Sequence, residues 1–147
     1  MVDIRAIDAR DCERWRELFL DYGTFYETAF SAEVLDGVWA WLLDPAHPVN
    51  GLVATNDDGV VVGFAIYRRQ EDTFTAGPGL YLDDLFVDGS ARRAGVARAL
   101  LASLADIARN LGVKQVRWIT AASNVRAQST YDRIARKTDW VTYEMDV

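Results

Sequence analysis

Arg92-Arg93-Ala94-Gly95-Val96-Ala97 gathers charge, small side chains and the start of a helical pattern into six consecutive residues. A helix start leaves backbone N–H groups unpaired and carries the positive end of the helix dipole. A phosphate placed there gains several hydrogen bonds at once. The small residues Ala94, Gly95 and Ala97 let an anion approach the backbone, and Arg92, Arg93 and Arg98 supply positive charge in an otherwise acidic chain. The same residues also read as an ordinary helix start with solvated arginines. Just upstream, Asp83 and Asp84 interrupt the apolar run from Leu80 to Val87. A core strand seldom carries carboxylates without a task, because burying a charge is costly unless something compensates it. Capping a turn or meeting a nearby arginine is the structural reading, and handling a cationic substrate is the chemical one. Adjacent strand residues point to opposite faces, so only one of the pair is expected to face a reacting group.

The elements that position these residues follow from periodicity. Val2 and Ile4 mark a short strand, and Cys12, Trp15, Leu18, Phe19 and Tyr22 form one stripe of a first helix. Ser31 suits the N-cap of a second helix carrying Val34, Leu35, Val38, Trp39 and Leu42. Residues 51–55 and 60–67 read as strands joined by Asn56-Asp57-Asp58-Gly59, a tight-turn sequence. Residues 80–87 form the next strand, ending in Leu85-Phe86-Val87. Val96, Leu100, Leu104, Ile107 and Leu111 then repeat at helical spacing, with Gly112 as the stop. Residues 113–121 predict a strand, 125–134 a shorter helix, and the alternation of Val141, Tyr143, Met145 and Val147 a final strand. The order βααβββαβαβ describes an α/β fold with a mixed, mainly antiparallel sheet of about seven strands and four helices.

Composition bounds the function. The chain has 147 residues, half of them hydrophobic, which suits one domain over residues 1–147. A net charge of −6 argues against a nucleic-acid backbone as partner and mildly favours a cationic substrate. Cys12 is the only cysteine, so no internal disulfide or cysteine-based metal cluster forms, and no metal is expected. No segment has the roughly 20 apolar residues of a membrane helix, and Met1 to Asp8 lacks an apolar signal core. A cytoplasmic protein without a membrane partner is the expectation.

With the Arg92 loop in place, the chain resembles the GNAT superfamily of N-acetyltransferases over most of its length, most specifically from about residue 79 to 147. Its signature, between the fourth strand and third helix, is Gln or Arg, two residues, Gly, one residue, then Gly or Ala. Arg92 to Ala97 satisfies it, with Arg93 standing where many members have glycine. Leu82-Asp83-Asp84-Leu85-Phe86-Val87 is similar to the acidic central strand of the diamine and small-amine enzymes, and Asn124, Ala127 and Tyr131 match the spacing of the second family motif. The resemblance implies acetyl-CoA as acetyl donor and a primary amine as acceptor, such as a diamine, polyamine or amino acid, by direct attack on the thioester. It implies Tyr131 as the acid for the leaving thiolate, Asn124 on the pantetheine arm and backbone groups of Leu85 and Val87 beside it. Asp83 then takes the position of the base, with Asp84 binding the amine or a backbone group. Tyr22, Tyr26 and Tyr67 are expected to line the amine pocket, and a homodimer is an assembly to test.

The base matters because a lysine-like amine of pKa about 10.4 is neutral in only about one part in 2,500 at pH 7, a handicap of roughly 4.6 kcal/mol. Other readings compete with this one. A non-catalytic acyl-CoA sensor would keep the Arg92 loop and lack Tyr131 and Asp83, and a protein N-terminus or lysine is an alternative acceptor. A dinucleotide-binding fold would want glycines after the first strand, where Asp8-Ala9-Arg10-Asp11 has none. His47 has no triad or metal partner in the sequence, and Cys12 reads as a helix-stripe filler.

Overall fold

The computed structural model describes all residues from Met1 to Val147. Its elements are β1 (Asp3–Ala6), α1 (Cys12–Phe25), α2 (Ala32–Leu43), β2 (Val49–Thr55), β3 (Val61–Asp72), β4 (Gly77–Val87), α3 (Val96–Leu111), β5 (Val116–Arg117) and α4 (Val125–Tyr131). The strands lie side by side in chain order in one sheet. β1 to β4 run antiparallel, and β5 returns parallel to β4 after the α3 crossover.

Local chemistry explains most of these boundaries. Asn56 accepts hydrogen bonds from the backbone N–H groups of Asp58 and Val60, both at 3.0 Å, while Gly59 takes φ +76°, which together close the β2–β3 turn. Ser31 caps α2 by accepting from Val34 N at 3.2 Å. Gly112 ends α3 at φ +75° and donates to the carbonyls of Ala108 and Arg109.

Helices cover both faces of the sheet because alternate strand residues face opposite ways. On one face Leu52, Ala54, Val62, Ala65, Leu80 and Leu82 pack against Val96, Leu100, Leu101 and Leu104 of α3. On the other, Val53, Val61, Phe64, Ile66 and Phe86 meet Trp15, Leu18 and Phe19 of α1 and Leu35 and Leu42 of α2. Each such large side chain contributes on the order of 1.5–3 kcal/mol when fully buried.

The structure departs from the sequence expectation at the C-terminal end. The sheet has five strands rather than about seven. Only Val116 and Arg117 of the expected 113–121 strand pair with β4. Residues 141–147 form no strand, and Tyr143 is 89% exposed. The alternating pattern is necessary for a half-buried strand but not sufficient, since a strand needs a ladder partner and β5 presents only two residues of regular edge.

Candidate active site

The two aspartates of β4 do not alternate as a regular strand requires. The β3–β4 register runs Tyr67 opposite Leu82 and Ile66 opposite Asp84, so Asp83 is the extra residue of a β-bulge. Leu82 and Leu85 both pack on the α3 side, and the bulge leaves Asp83 and Asp84 together on the α1 side. Strand alternation therefore does not separate the pair, although only Asp83 of the two is among the residues lining the cleft described below. Asp84 accepts a 2.7 Å hydrogen bond from the Tyr22 hydroxyl of α1, and Asp83 lies 3.5 Å from the Arg68 guanidinium of β3.

Their environments differ accordingly. Burial pushes the Asp84 carboxyl up to about 6; the Tyr22 hydrogen bond partly opposes this and the Asp83 charge adds to it. Burial also raises Asp83, with Arg68 pulling the other way. The Tyr22 phenol is driven well above its ordinary range, first by burial and then by the charge of Asp84 and the hydrogen bond to it.

Beyond the Tyr81–Arg117 pair β4 and β5 separate, so the edge of β4 from residue 82 to 87 has no ladder partner on that side. The cleft so opened is lined by Tyr22, Tyr26, Asp83, Leu85, Thr120 and Tyr131, among others. It brings together expected site residues from α1, β4 and α4. Tyr131 sits at the last turn of α4 with its ring edge-on to Trp118, centroids 5.3 Å apart, and its phenol is raised by burial and then by Tyr26. A buried phenol held neutral is suited to donating a proton. Asn124 is not among the residues lining the cleft; it caps α4, its side-chain oxygen accepting from Ala127 N at 3.3 Å.

Tyr67 is not part of this grouping. It packs with the α3-side cluster, on the face away from Tyr22 and Asp84. Thr120 was not singled out from the sequence; its hydroxyl is buried in the cleft with no hydrogen-bond partner. Nothing in the residue type signals this, because it follows from where β5 leaves the sheet. A larger cavity of about 420 Å³ lies between α3 and β5, lined mostly by apolar residues such as Leu101, Ala105 and Val116 and by no carboxylate. The smaller cleft is the one that gathers a carboxylate, a hydroxyl and three phenols.

The Arg92 loop takes the form an anion requires. Gly95 is at φ +76° immediately before α3, and no side chain caps the helix. Arg93 also has positive φ, +67°, the conformation that explains why glycine suits this position. The Arg92 side chain folds back, its Nε donating to Val87 O at 3.3 Å and its guanidinium lying over Phe86 and Phe25, 5.7 and 5.8 Å from the ring centres. Arg93, Ala94, Gly95 and Arg98 are exposed, Ala97 is half-buried, and Val96 is buried as the loop's anchor in the core. Arg14 ties the loop to the body, donating to Val61 O at 2.9 Å and to Asp88 at 3.0 Å, while Ser90 donates to the same Asp88 oxygen.

An uncapped helix start fits a pyrophosphate, and an unpaired strand edge beside it fits the amides of a pantetheine arm. Acetyl-CoA carries both groups, and the residues present suit it. The protein is an N-acetyltransferase that uses acetyl-CoA. It belongs to the acetyltransferase (GNAT) family, whose pattern it matches over residues 12–135. It is 34% identical over 142 residues to a D-amino-acid N-acetyltransferase of Saccharomyces cerevisiae, covering 96% of this chain and 88% of that protein. It is 36% identical over 78 residues to an L-ornithine N5-acetyltransferase of Arabidopsis thaliana, covering 53% of this chain and 34% of that one. Its fold matches the solved structure of an aminoglycoside N-acetyltransferase in complex with CoA, with TM-score 0.85 and 23% identity, over 99% of this chain and 95% of the other.

Proposed function

We propose that the acceptor is a small molecule with a free primary amine, such as an amino acid or diamine. The observation that carries this is the bulge that turns both Asp83 and Asp84 toward α1 beside the cleft. An amine at neutral pH arrives as a cation and must leave its charge behind to attack. A pair of carboxylates supplies both an anionic hold and a proton acceptor. The relatives acting on D-amino acids and L-ornithine support the same class.

Bound acetyl-CoA supplies a thioester carbonyl for the amine nitrogen to attack, with a thiolate as leaving group. The loop from Arg92 to Arg98 holds the pyrophosphate through backbone N–H groups and the charges of Arg93 and Arg98. The free edge of β4 at Leu85 and Val87 orients the arm, and a backbone N–H there can stabilise the developing oxyanion. Asn124 donates its amide to the arm, and Tyr131 protonates the departing sulfur. Tyr26 walls the acceptor side.

The test is release of free CoA from acetyl-CoA across a panel of D- and L-amino acids, diamines, polyamines, aminoglycosides and lysine-bearing peptides. Turnover concentrated on small primary amines is the expected result. Turnover confined to protein N-termini or peptide lysines would overturn the small-amine assignment.

A further inference from the structure

Asp84 is held by Tyr22, and it is Tyr22, not Asp84, that lines the cleft together with Asp83 and Tyr131. Asp84 therefore reaches the cleft through the 2.7 Å hydrogen bond that the Tyr22 hydroxyl donates to it. Asp83 lines the cleft directly, but Arg68 stands 3.5 Å from it on the other side. A carboxylate already facing a guanidinium is a poorer proton acceptor than one whose only partner is a neutral hydroxyl.

We propose that Tyr22 and Asp84 form a proton relay for the acceptor amine, and that Asp83 holds the incoming ammonium. This reverses the roles expected from the sequence and rests on the small-amine reading above. The ammonium gives one proton to Tyr22 Oη as Tyr22 passes its own to Asp84 Oδ1, leaving a neutral amine. That nitrogen bonds to the thioester carbon and the carbon–sulfur bond breaks. Tyr131 gives its proton to sulfur and is reprotonated by the second amine proton. The proton on Asp84 returns to solvent through Tyr22, so one proton is released per amide formed.

The packing suits a relay. The Tyr22 ring is fixed by edge contacts with Tyr26, Phe64 and Phe86 at 5.2, 5.9 and 5.8 Å between centroids, so its hydroxyl stays on Asp84. The groups around Asp84 that carry or can change charge are Tyr22 of α1, Tyr26 just past its end, Asp83 and Tyr81 of β4, Arg68 of β3 and Tyr131 of α4. Arg92 lies over Phe86, further along β4. With its carboxyl raised to about 6, Asp84 is ionised at neutral pH yet basic enough to take a proton, while Tyr22 remains a neutral carrier.

The experiment compares Tyr22→Phe, Asp84→Asn, their double variant and Asp83→Asn in kcat/KM against pH. Acetyl-CoA affinity by calorimetry confirms that each is folded with an intact donor site. The relay predicts that Tyr22→Phe and Asp84→Asn each lose at least about tenfold at pH 7. The loss should shrink as pH approaches 10, where solvent deprotonates the amine, and the double variant should be no worse than either single one. Asp83→Asn should raise KM for the amine wherever the amine is an ammonium, with kcat little changed. Tyr22→Phe within twofold of wild type at pH 7, a loss that stays constant with pH, or a pH-recoverable loss in Asp83→Asn alone would each overturn the relay. Those outcomes leave wild-type turnover intact, whereas a wild-type enzyme inactive on every small amine would overturn the acceptor assignment and the relay with it.

Discussion

The corner between β1 and α1 and the contact of α1 with β4 beside the cleft each hide an aspartate, and they treat it in opposite ways. Asp11 is 3% exposed, yet both of its oxygens are engaged by Arg5 at 2.7 and 2.8 Å, and it also accepts from Asp8 N at 2.9 Å. Burial alone would raise its carboxyl, but Arg5 and the Asp8 N–H outweigh that and hold it below the usual range. Asp84 has a single neutral hydroxyl, and burial prevails. A carboxylate whose charge is fully answered stabilises a corner; one left partly unanswered stores the capacity to take up a proton. The cleft repeats the theme at Thr120, whose buried hydroxyl has no partner.

Variants that act on only one region break or sharpen this contrast. The largest effect is expected for Tyr131→Phe, which removes the proposed proton donor while keeping its contact with Trp118. Its kcat should fall by about 10²- to 10⁴-fold with acetyl-CoA affinity unchanged, as stopped assays and calorimetry would show; a change within twofold would reduce Tyr131 to packing. Asp11→Ala attacks the other region. Arg5 is partly exposed and keeps Asp8 at 3.5 Å, so losing Asp11 should cost about 1–3 kcal/mol in denaturant unfolding, while kcat per folded molecule stays at the wild-type value. A matching loss of kcat would mean that the corner is coupled to the chemistry. The smallest effect is expected for Thr120→Val, which replaces an unpaired buried hydroxyl with a methyl of similar shape and should add about 1 kcal/mol of stability. A loss of stability would show that the hydroxyl is already satisfied in the folded protein.

The parts of this account that were legible in the sequence are those set by local pattern. Gly95 before a helical repeat marked the start of α3, Asn56 to Gly59 marked the turn, and two aspartates in an apolar run marked the acidic strand. What escaped depends on partners distant in the chain. The bulge at Asp83 exists only in the register between β3 and β4, and it defeats the alternation rule that the residues themselves suggest. Tyr67 looked like a pocket wall because strand periodicity does not say which face meets α1. The 141–147 pattern looked like a strand because alternation is silent about whether an edge is available. The Arg5–Asp11 pair was hidden because nothing in a short strand and a turn announces that their charges will be buried against each other.

Asp84 is kept behind Tyr22 at a cost to the fold, and Asp84→Asn tests most directly whether that carboxylate serves the reaction. Because the folded-state carboxyl is raised to about 6, the folded protein binds more protons than the unfolded chain between roughly pH 4 and 6. Stability contributed by the protonated form is therefore lost as pH rises through that window, by up to about 3 kcal/mol for a shift of this size. Asparagine escapes the penalty while still accepting from Tyr22. Thermal unfolding and kcat/KM measured together at pH 7 should show Asp84→Asn more stable and at least about tenfold less active than wild type, with the stability gap closing toward pH 4. A variant that is less stable than wild type at pH 7, or one that keeps full activity, would contradict the account.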